Sequence, residues 1–183
     1  FCAHYDHLGM MGSKMYPGAN DNASGVAMVL DLAKHYKKAK KKPYYTQVFL
    51  LFSGEEAGLL GSKYYTENPI FPLEKTRMVM NFDMVGTGSK GVFILNGKEV
   101  PQELSLYEKI NKNQAYVTNM KATPAVPSSD HASFYKKDVK AVFIYTHDDN
   151  SNYHETTDTF NSLKMTQYEG VFKLIRDFSN QLK

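Results

Sequence analysis

The stretch TQVFLLFSGEEAGLLGSKYYTEN, residues 46–68, contains a strand, a polar turn and a helix in succession. The run TQVFLLFS (46–53) is continuously apolar at its centre, which predicts a strand buried on both faces of a sheet. The segment GLLGSKYYTEN (58–68) favours a helix, and Pro69 ends it because proline cannot continue a helix. A strand that leads directly into a helix is typical of α/β proteins.

The same alternation of strand-like and helical segments extends along the whole chain. Further strands are predicted at 77–84, 91–97 and 140–146, and further helices within 15–36 and at 100–114 and 162–183. We therefore expect one α/β domain over residues 1–183, with a mostly parallel central β-sheet flanked by helices on both faces. In such sheets, ligands bind beyond the carboxyl ends of the strands.

Composition and charge exclude several classes of function. The hydrophobic content of 42% and the charged content of 22% are ordinary for a globular domain. A net charge of +3 gives no reason to expect a nucleic-acid partner. No run of about 18 apolar residues is present, so no membrane-spanning segment is predicted. The single cysteine, Cys2, excludes an internal disulfide.

The beginning of the chain, FCAHYD (1–6), has the character of the middle of a strand. A native N-terminus rarely lies inside a core strand. We therefore expect that the domain lacks its N-terminal part here, and that a further region or domain precedes Phe1.

Polar clusters follow the predicted strands at the points where they end. These clusters are AHYDH (3–7), SGEEAG (53–58), NFDMVG (81–86) and THDDNSNYHETTDT (146–159). Each contains His, Asp or Glu, which bind borderline divalent metals through nitrogen and oxygen. No cluster is decisive alone, but their joint position at the strand ends indicates a metal site.

The spacing within the clusters indicates which residues can bind metal and which can assist it. His4 and Asp6 are two residues apart on an extended segment and share one face, which suits a metal ligand and a nearby acid that fixes its geometry. The adjacent Glu55 and Glu56 diverge, so one carboxylate can bind metal while the other acts as a general base on the attacking water.

A further polar cluster, PGANDNASG (17–25), precedes the first predicted helix. Asn20, Asp21, Asn22 and Ser24 are all residue types that cap the exposed N–H groups of a helix. One cap would be enough, so the cluster needs a second explanation.

The motifs AHYDH, PGANDNASG, FSGEEAGLLGSKYY, NFDMVG, SSDHASF and YHETTDT occur in this order from residue 3 to about residue 160. As a set they resemble the co-catalytic zinc aminopeptidase family, which also contains glutamate carboxypeptidases and glutaminyl cyclases. The resemblance implies a zinc-exopeptidase three-layer fold, two Zn²⁺ ions as cofactors, and a peptide substrate from which N-terminal residues are hydrolysed. It also suggests a secreted or periplasmic location, which nothing else in the chain indicates.

The resemblance implies a role for each matching residue. His4 and Asp83 would bind one zinc, Glu56 and His154 the other, and Asp21 would bridge both, while Glu55 would be the general base, Tyr153 would stabilise the oxyanion and Asp6 would orient the site. With Asp21 bound to metal, Asn22 or Ser24 is left to cap the helix. The family further implies a cis peptide bond between Asp21 and Asn22. For Asp130 and His131 we expect a structural role near the rim of the site.

Three other functions compete with the aminopeptidase. A glutaminyl cyclase-like acyltransferase is disfavoured because those enzymes have tryptophan at the position of Tyr153, and this chain contains no tryptophan. A non-catalytic binding module is disfavoured because all five ligands and the base are present. Carboxypeptidase or dipeptidase specificity on the same scaffold remains open.

Overall fold

The computed structural model describes residues 1–148 and 152–183. Its strands are β1 (Cys2–His4), β2 (Gly9–Met11), β3 (Lys14–Tyr16), β4 (Leu50–Phe52), β5 (Val79–Phe82), β6 (Gly91–Leu95), β7 (Lys121–Ala122) and β8 (Ala141–His147). Its α-helices are α1 (Gly25–Lys38), α2 (Leu60–Glu67), α3 (Pro101–Gln114), α4 (His131–Tyr135) and α5 (Tyr168–Gln181).

Six strands form the central sheet in the order β4-β1-β5-β8-β6-β7. The neighbours β4/β1, β1/β5, β5/β8 and β6/β7 are parallel, and only β6 and β8 run antiparallel to each other. The strands β2 and β3 form a separate antiparallel hairpin. The expected mostly parallel α/β sheet is confirmed.

Helices cover both faces of this sheet because strand side chains alternate between them. On one face, Met80 and Phe82 of β5 pack into a core shared with α1, α3 and α5. On the other face, Val79 of β5 packs with Phe52 and with Phe134 of α4, and Tyr65 of α2 adds to this smaller core. The molecule is therefore a three-layer arrangement of helices, sheet and helices.

The structure differs from the sequence-based expectation at several elements. The strand predicted over 46–53 is short and lies at the edge of the sheet, where Leu51 is 41% exposed, so burial on both faces was wrong. An edge strand has a neighbour on one side only, which leaves its side chains less covered. The strands β2, β3 and β7 and the helix α4 were not predicted because each is only two to five residues long.

The carboxyl ends of the parallel strands bring the polar clusters to one edge of the sheet. The strand β1 ends at His4, β4 leads into the turn of Glu55 and Glu56, and Asp83 directly follows β5. The predicted cluster 146–159 follows β8, and its residues 149–151 lie outside the described part of the chain. Among the described residues, no helix is long and apolar enough to cross a membrane.

Candidate metal centre

His4 lies at the end of β1 with its ring almost fully buried. Its Nδ1 is 3.1 Å from the backbone oxygen of Asp6, which can only accept, so Nδ1 carries a proton and donates it. The other ring nitrogen, Nε2, faces two carboxylates, at 3.3 Å from Oδ1 of Asp21 and 3.4 Å from Oδ1 of Asp83. The predicted first ligand group is therefore assembled around His4 Nε2.

His154 has the corresponding position on the other side of Asp21. Its Nε2 is 3.1 Å from Oε2 of Glu56 and 3.3 Å from Oδ2 of Asp21. The two oxygens of the Asp21 carboxylate therefore face different histidines, Oδ1 towards His4 and Oδ2 towards His154. This arrangement can place one carboxylate between two metal ions.

The spacing of these donor atoms fits tetrahedral zinc. Ligand atoms at about 2.0–2.1 Å from a tetrahedral Zn²⁺ are separated from one another by roughly 3.3–3.4 Å, and the four distances to the histidine nitrogens are 3.1 to 3.4 Å. Nε2 of His4, Oδ1 of Asp83 and Nε2 of His154 are buried and have no hydrogen-bond partner in the described chain. Buried polar atoms without partners are rare in folded proteins. Imidazole nitrogens and carboxylate oxygens suit this metal, so the residues fit it.

The electrostatics of these side chains point to a cation at the same place. Burial lowers the pKa of His4, but the carboxylates of Asp21 and Asp83 outweigh it and raise the pKa to about 11. The protonated imidazole then partly offsets the converging carboxylates. A divalent cation bound here would replace that proton.

The turn that carries Asp21 is fixed from both sides. The backbone N–H groups of Asn20 and Asp21 donate to the buried carboxylate of Asp158 at 2.8 to 3.0 Å. The peptide bond between Asp21 and Asn22 is cis, which confirms the expectation from the resemblance. Oδ1 of Asn22 accepts the N–H of Gly25 at 2.9 Å, so Asn22 caps α1.

The remaining polar residues of this turn bind the loop after β5, which carries Asp83. Three consecutive backbone N–H groups of the loop donate to three side chains of the turn: Met84 to Asn22, Val85 to Ser24 and Gly86 to Asn20, at 3.2, 2.9 and 2.9 Å. The polar cluster therefore ties together the two segments that carry Asp21 and Asp83. Capping one helix would not require this many polar side chains.

Asp6 holds the turn of the two glutamates. Its Oδ1 accepts the backbone N–H of Glu55 and its Oδ2 accepts the N–H of Glu56, both at 3.2 Å. Carboxylate oxygens of Glu55 and Asp83 and a ring nitrogen of His4 lie within 4.8 Å of one another. Asp6 thus acts on the backbone of the pair, and the glutamate side chains point towards different halves of the centre.

The environment of Glu55 suits a group that takes up and releases a proton. Burial raises the pKa of this carboxyl to about 8, opposed by the charge of His4 and assisted by Asp83, Asp130 and Glu56. Bound cations favour the ionised form. A general base works best when its pKa lies near the working pH.

Tyr153 lies at the entrance, where its side chain is about half exposed. Its ring stacks on that of His154 with centroids 3.9 Å apart. Burial and the nearby carboxylates of Asp21 and Glu56 raise the pKa of the phenol to about 12, so at neutral pH its hydroxyl is protonated and can donate a hydrogen bond.

The structure thus brings all eight predicted residues to one place, and it adds three that sequence reasoning missed. His7 Nδ1 is 2.9 Å from Oε1 of Glu56, Ser129 Oγ donates to Oδ2 of Asp83 at 2.8 Å, and Asp158 holds the Asp21 turn. Each lies inside a motif quoted above, but the sequence does not reveal which side chain it contacts.

The placement of Asp130 and His131 near the rim was wrong. Both are fully buried, because they begin α4 beneath the sheet. Burial lowers the pKa of His131 to about 4, and its Nε2–H donates to the backbone oxygen of Val126 at 2.8 Å. Its contact is with the backbone, as a structural role requires.

Comparison with known sequences decides the family. The sequence profile of Peptidase family M28 matches residues 1–179, nearly the whole chain. The chain belongs to peptidase family M28. The M28 profile thereby accounts for the ordered motifs, from AHYDH to YHETTDT.

Relatives of this M28 chain carry peptidase names. A protein of Pseudomonas aeruginosa named aminopeptidase is 42% identical over 83 residues, which cover 44% of this chain and 15% of that protein. The chain matches less than a fifth of the length of the first curated relatives.

Solved structures with this fold include two enzyme types. BSAP, a zinc aminopeptidase from Bacillus subtilis, superimposes with a TM-score of 0.76 at 24% identity, over 100% of this chain and 46% of BSAP. A glutaminyl cyclase from Porphyromonas gingivalis gives 0.80 at 19% identity, over 97% of this chain and 70% of the cyclase. At these identities the matches establish the fold.

Proposed function

We propose that residues 1–183 belong to the catalytic domain of a zinc aminopeptidase. The observation that carries the proposal is the position of Asp21, whose two carboxylate oxygens face two separate histidines, each with a second carboxylate beside it. Such an arrangement suits a pair of metal ions that share one carboxylate.

The proposed centre contains two zinc ions. His4 and Asp83 would hold one ion, Glu56 and His154 the other, and Asp21 would contribute one oxygen to each. The three carboxylates of this set offset most of the +4 charge of two Zn²⁺ ions, as a buried site requires because uncompensated charge there is expensive.

Zinc bound here would polarise the substrate carbonyl and activate water for attack. Glu55 would take a proton from the attacking water and return it to the leaving amine. The protonated hydroxyl of Tyr153 would donate a hydrogen bond to the oxygen on which negative charge develops. Asp6 would hold the turn of Glu55 and Glu56 in place by accepting their backbone N–H groups.

A cavity of about 290 Å³ beside the centre favours recognition of the amino end of a peptide. Its lining includes the apolar side chains of Met84, Leu95 and Phe143 and the ring of Tyr145, which suit an apolar N-terminal side chain. The acidic groups of the centre also line the cavity, and the described lining contains no lysine or arginine. A substrate α-carboxylate would therefore find no cationic side chain to pair with in this lining, which favours recognition of the amino end.

The test is hydrolysis by purified, zinc-loaded protein of leucyl-p-nitroanilide, its N-acetylated form, and a peptide with a free carboxyl end and blocked amine. We expect release only from the substrate with a free amine. A glutaminyl peptide measured in parallel tests the cyclase alternative. Hydrolysis of the amine-blocked peptide would assign a carboxypeptidase, and cyclisation without hydrolysis would assign a glutaminyl cyclase.

A further inference from the structure

His7 lies next to the centre without belonging to the set of five ligands. It follows β1, and its side chain is only 9% exposed. Its Nδ1 is 2.9 Å from Oε1 of Glu56. An ionised carboxylate can only accept a hydrogen bond, so Nδ1 carries the proton and donates it.

This contact divides the two oxygens of Glu56 between different partners. Oε1 accepts from His7, whereas Oε2 faces Nε2 of His154 at 3.1 Å. The second carboxylate near His7 is more distant, since Oδ2 of Asp21 is 3.8 Å from Nδ1. The hydrogen bond therefore determines which oxygen of Glu56 points into the zinc site.

The imidazole ring of His7 is itself held in place. A Cβ atom at Gly18 would lie 2.6 Å from Cγ of His7, so the glycine allows the backbone to pack against the ring. On another side, the ring meets that of His154 edge-on, with centroids 5.7 Å apart. A donor with so little freedom can fix the orientation of a carboxylate.

The other half of the centre repeats this arrangement with a different donor. Ser129 Oγ donates to Oδ2 of Asp83, while Oδ1 of Asp83 faces His4 at 3.4 Å. In both halves, one carboxylate oxygen is occupied by a hydrogen bond and the other is directed at the histidine of the site. Hydrogen bonds of this kind orient metal ligands and tune metal affinity.

We propose that His7 is a positioning residue for the zinc held by Glu56 and His154: its Nδ1–H fixes Oε1 of Glu56 so that Oε2 binds the metal. This inference rests on the proposed zinc centre and assigns a role to a residue outside it. Nδ1 of His7 is not a ligand atom in this arrangement, because it donates its hydrogen to Glu56 at 2.9 Å.

The matched variants His7→Asn and His7→Gln test the position of the donor. The amide nitrogen of asparagine is as many bonds from Cα as Nδ1 of histidine, whereas that of glutamine corresponds to Nε2. Zinc affinity is measured by competition with a chelator. We expect His7→Gln and His7→Ala to lower the affinity for one of the two zinc ions about 10–100-fold. The zinc affinity of His7→Asn should stay close to that of the wild type.

Two controls separate positioning from other effects. His35→Gln, on α1, changes a histidine that packs on Tyr36 and Phe172 and should leave zinc affinity unchanged. The absorption spectrum of the cobalt-substituted protein reports the ligand set, and we expect it to be the same in His7→Asn and wild type. Circular dichroism verifies folding of each variant.

The outcomes are distinct. Equal zinc affinity in His7→Asn and His7→Gln would overturn the inference while leaving the proposed centre intact. A loss of one cobalt ligand in His7→Asn would show that His7 binds the metal directly, which also overturns it. Absence of zinc binding by the wild-type protein would overturn the proposed function itself.

Discussion

Replacing Glu55 by glutamine separates proton transfer from metal binding. The change keeps the size of the side chain, and the backbone N–H of residue 55 can still donate to Asp6, so the turn should persist. The amide cannot accept the proton of the attacking water. Loss of a general base typically lowers kcat by about 10²–10⁴-fold, which raises the barrier by about 2.7–5.4 kcal/mol.

The matched change one residue later, Glu56→Gln, should have the opposite profile. It removes the negative charge and replaces one oxygen by an NH2 group, so the side chain can no longer both accept from His7 and present an oxygen towards His154. We expect the variant to lose one of its two zinc ions in a chelator concentration that wild type withstands. Its activity should return at least in part when zinc is added in excess, because the base is still present.

The assay combines kcat for leucyl-p-nitroanilide with zinc content determined by mass spectrometry on the same samples. Glu55→Gln should retain two zinc ions, and an excess of zinc should not restore its activity. If the two variants show the same zinc content and the same response to added zinc, the division of roles between the glutamates is refuted.

Further predictions address other parts of the site. Ser129→Ala removes the donor to Asp83 and should weaken zinc binding about 10–100-fold in chelator competition. Tyr153→Phe should lower kcat while zinc content stays constant, since it removes only a donor to the developing charge. Because the pKa of His4 is raised to about 11, zinc must displace its proton, and zinc affinity should increase with pH near neutrality. Calorimetry in buffers of different ionisation enthalpy should detect the release of this proton. Gly25→Ala would drive a Cβ into the Asn22 side chain and the backbone oxygen of Phe82, and thermal unfolding should show a loss of about 1–3 kcal/mol.

The sequence sufficed to predict the two central strands because each lies in a run rich in apolar residues. The runs at 77–84 and 140–146 became β5 and β8, the parallel pair at the middle of the sheet. It also sufficed to predict which residues gather, because Asp83 and the glutamate pair follow strands whose carboxyl ends share one edge. The prediction of the strands and the prediction of the gathered residues both depend only on chain order and residue type.

What the sequence did not reveal are contacts between segments far apart in the chain. The helix α4 is only five residues long, so no periodicity predicts it, and nothing in the sequence indicates that His131 at its start is fully buried. The apolar run at 46–53 resembles that of a central strand, yet its position at the edge depends on the order of the strands. Neither the burial of His131 nor the edge position of the run 46–53 can be predicted from a local sequence pattern.

The acidic centre needs such distant contacts to keep its shape. Three carboxylates converge here, and without restraint their mutual repulsion would move them apart. Each is tied by a group from a different part of the chain: Glu56 by His7, Asp83 by Ser129, and the Asp21 backbone by Asp158. Because these restraints come from three separate segments, they exist together only once the whole sheet has formed. The geometry of the donors is therefore a property of the folded domain, and changes at residues 7 and 129 test the same restraint from opposite sides of Asp21.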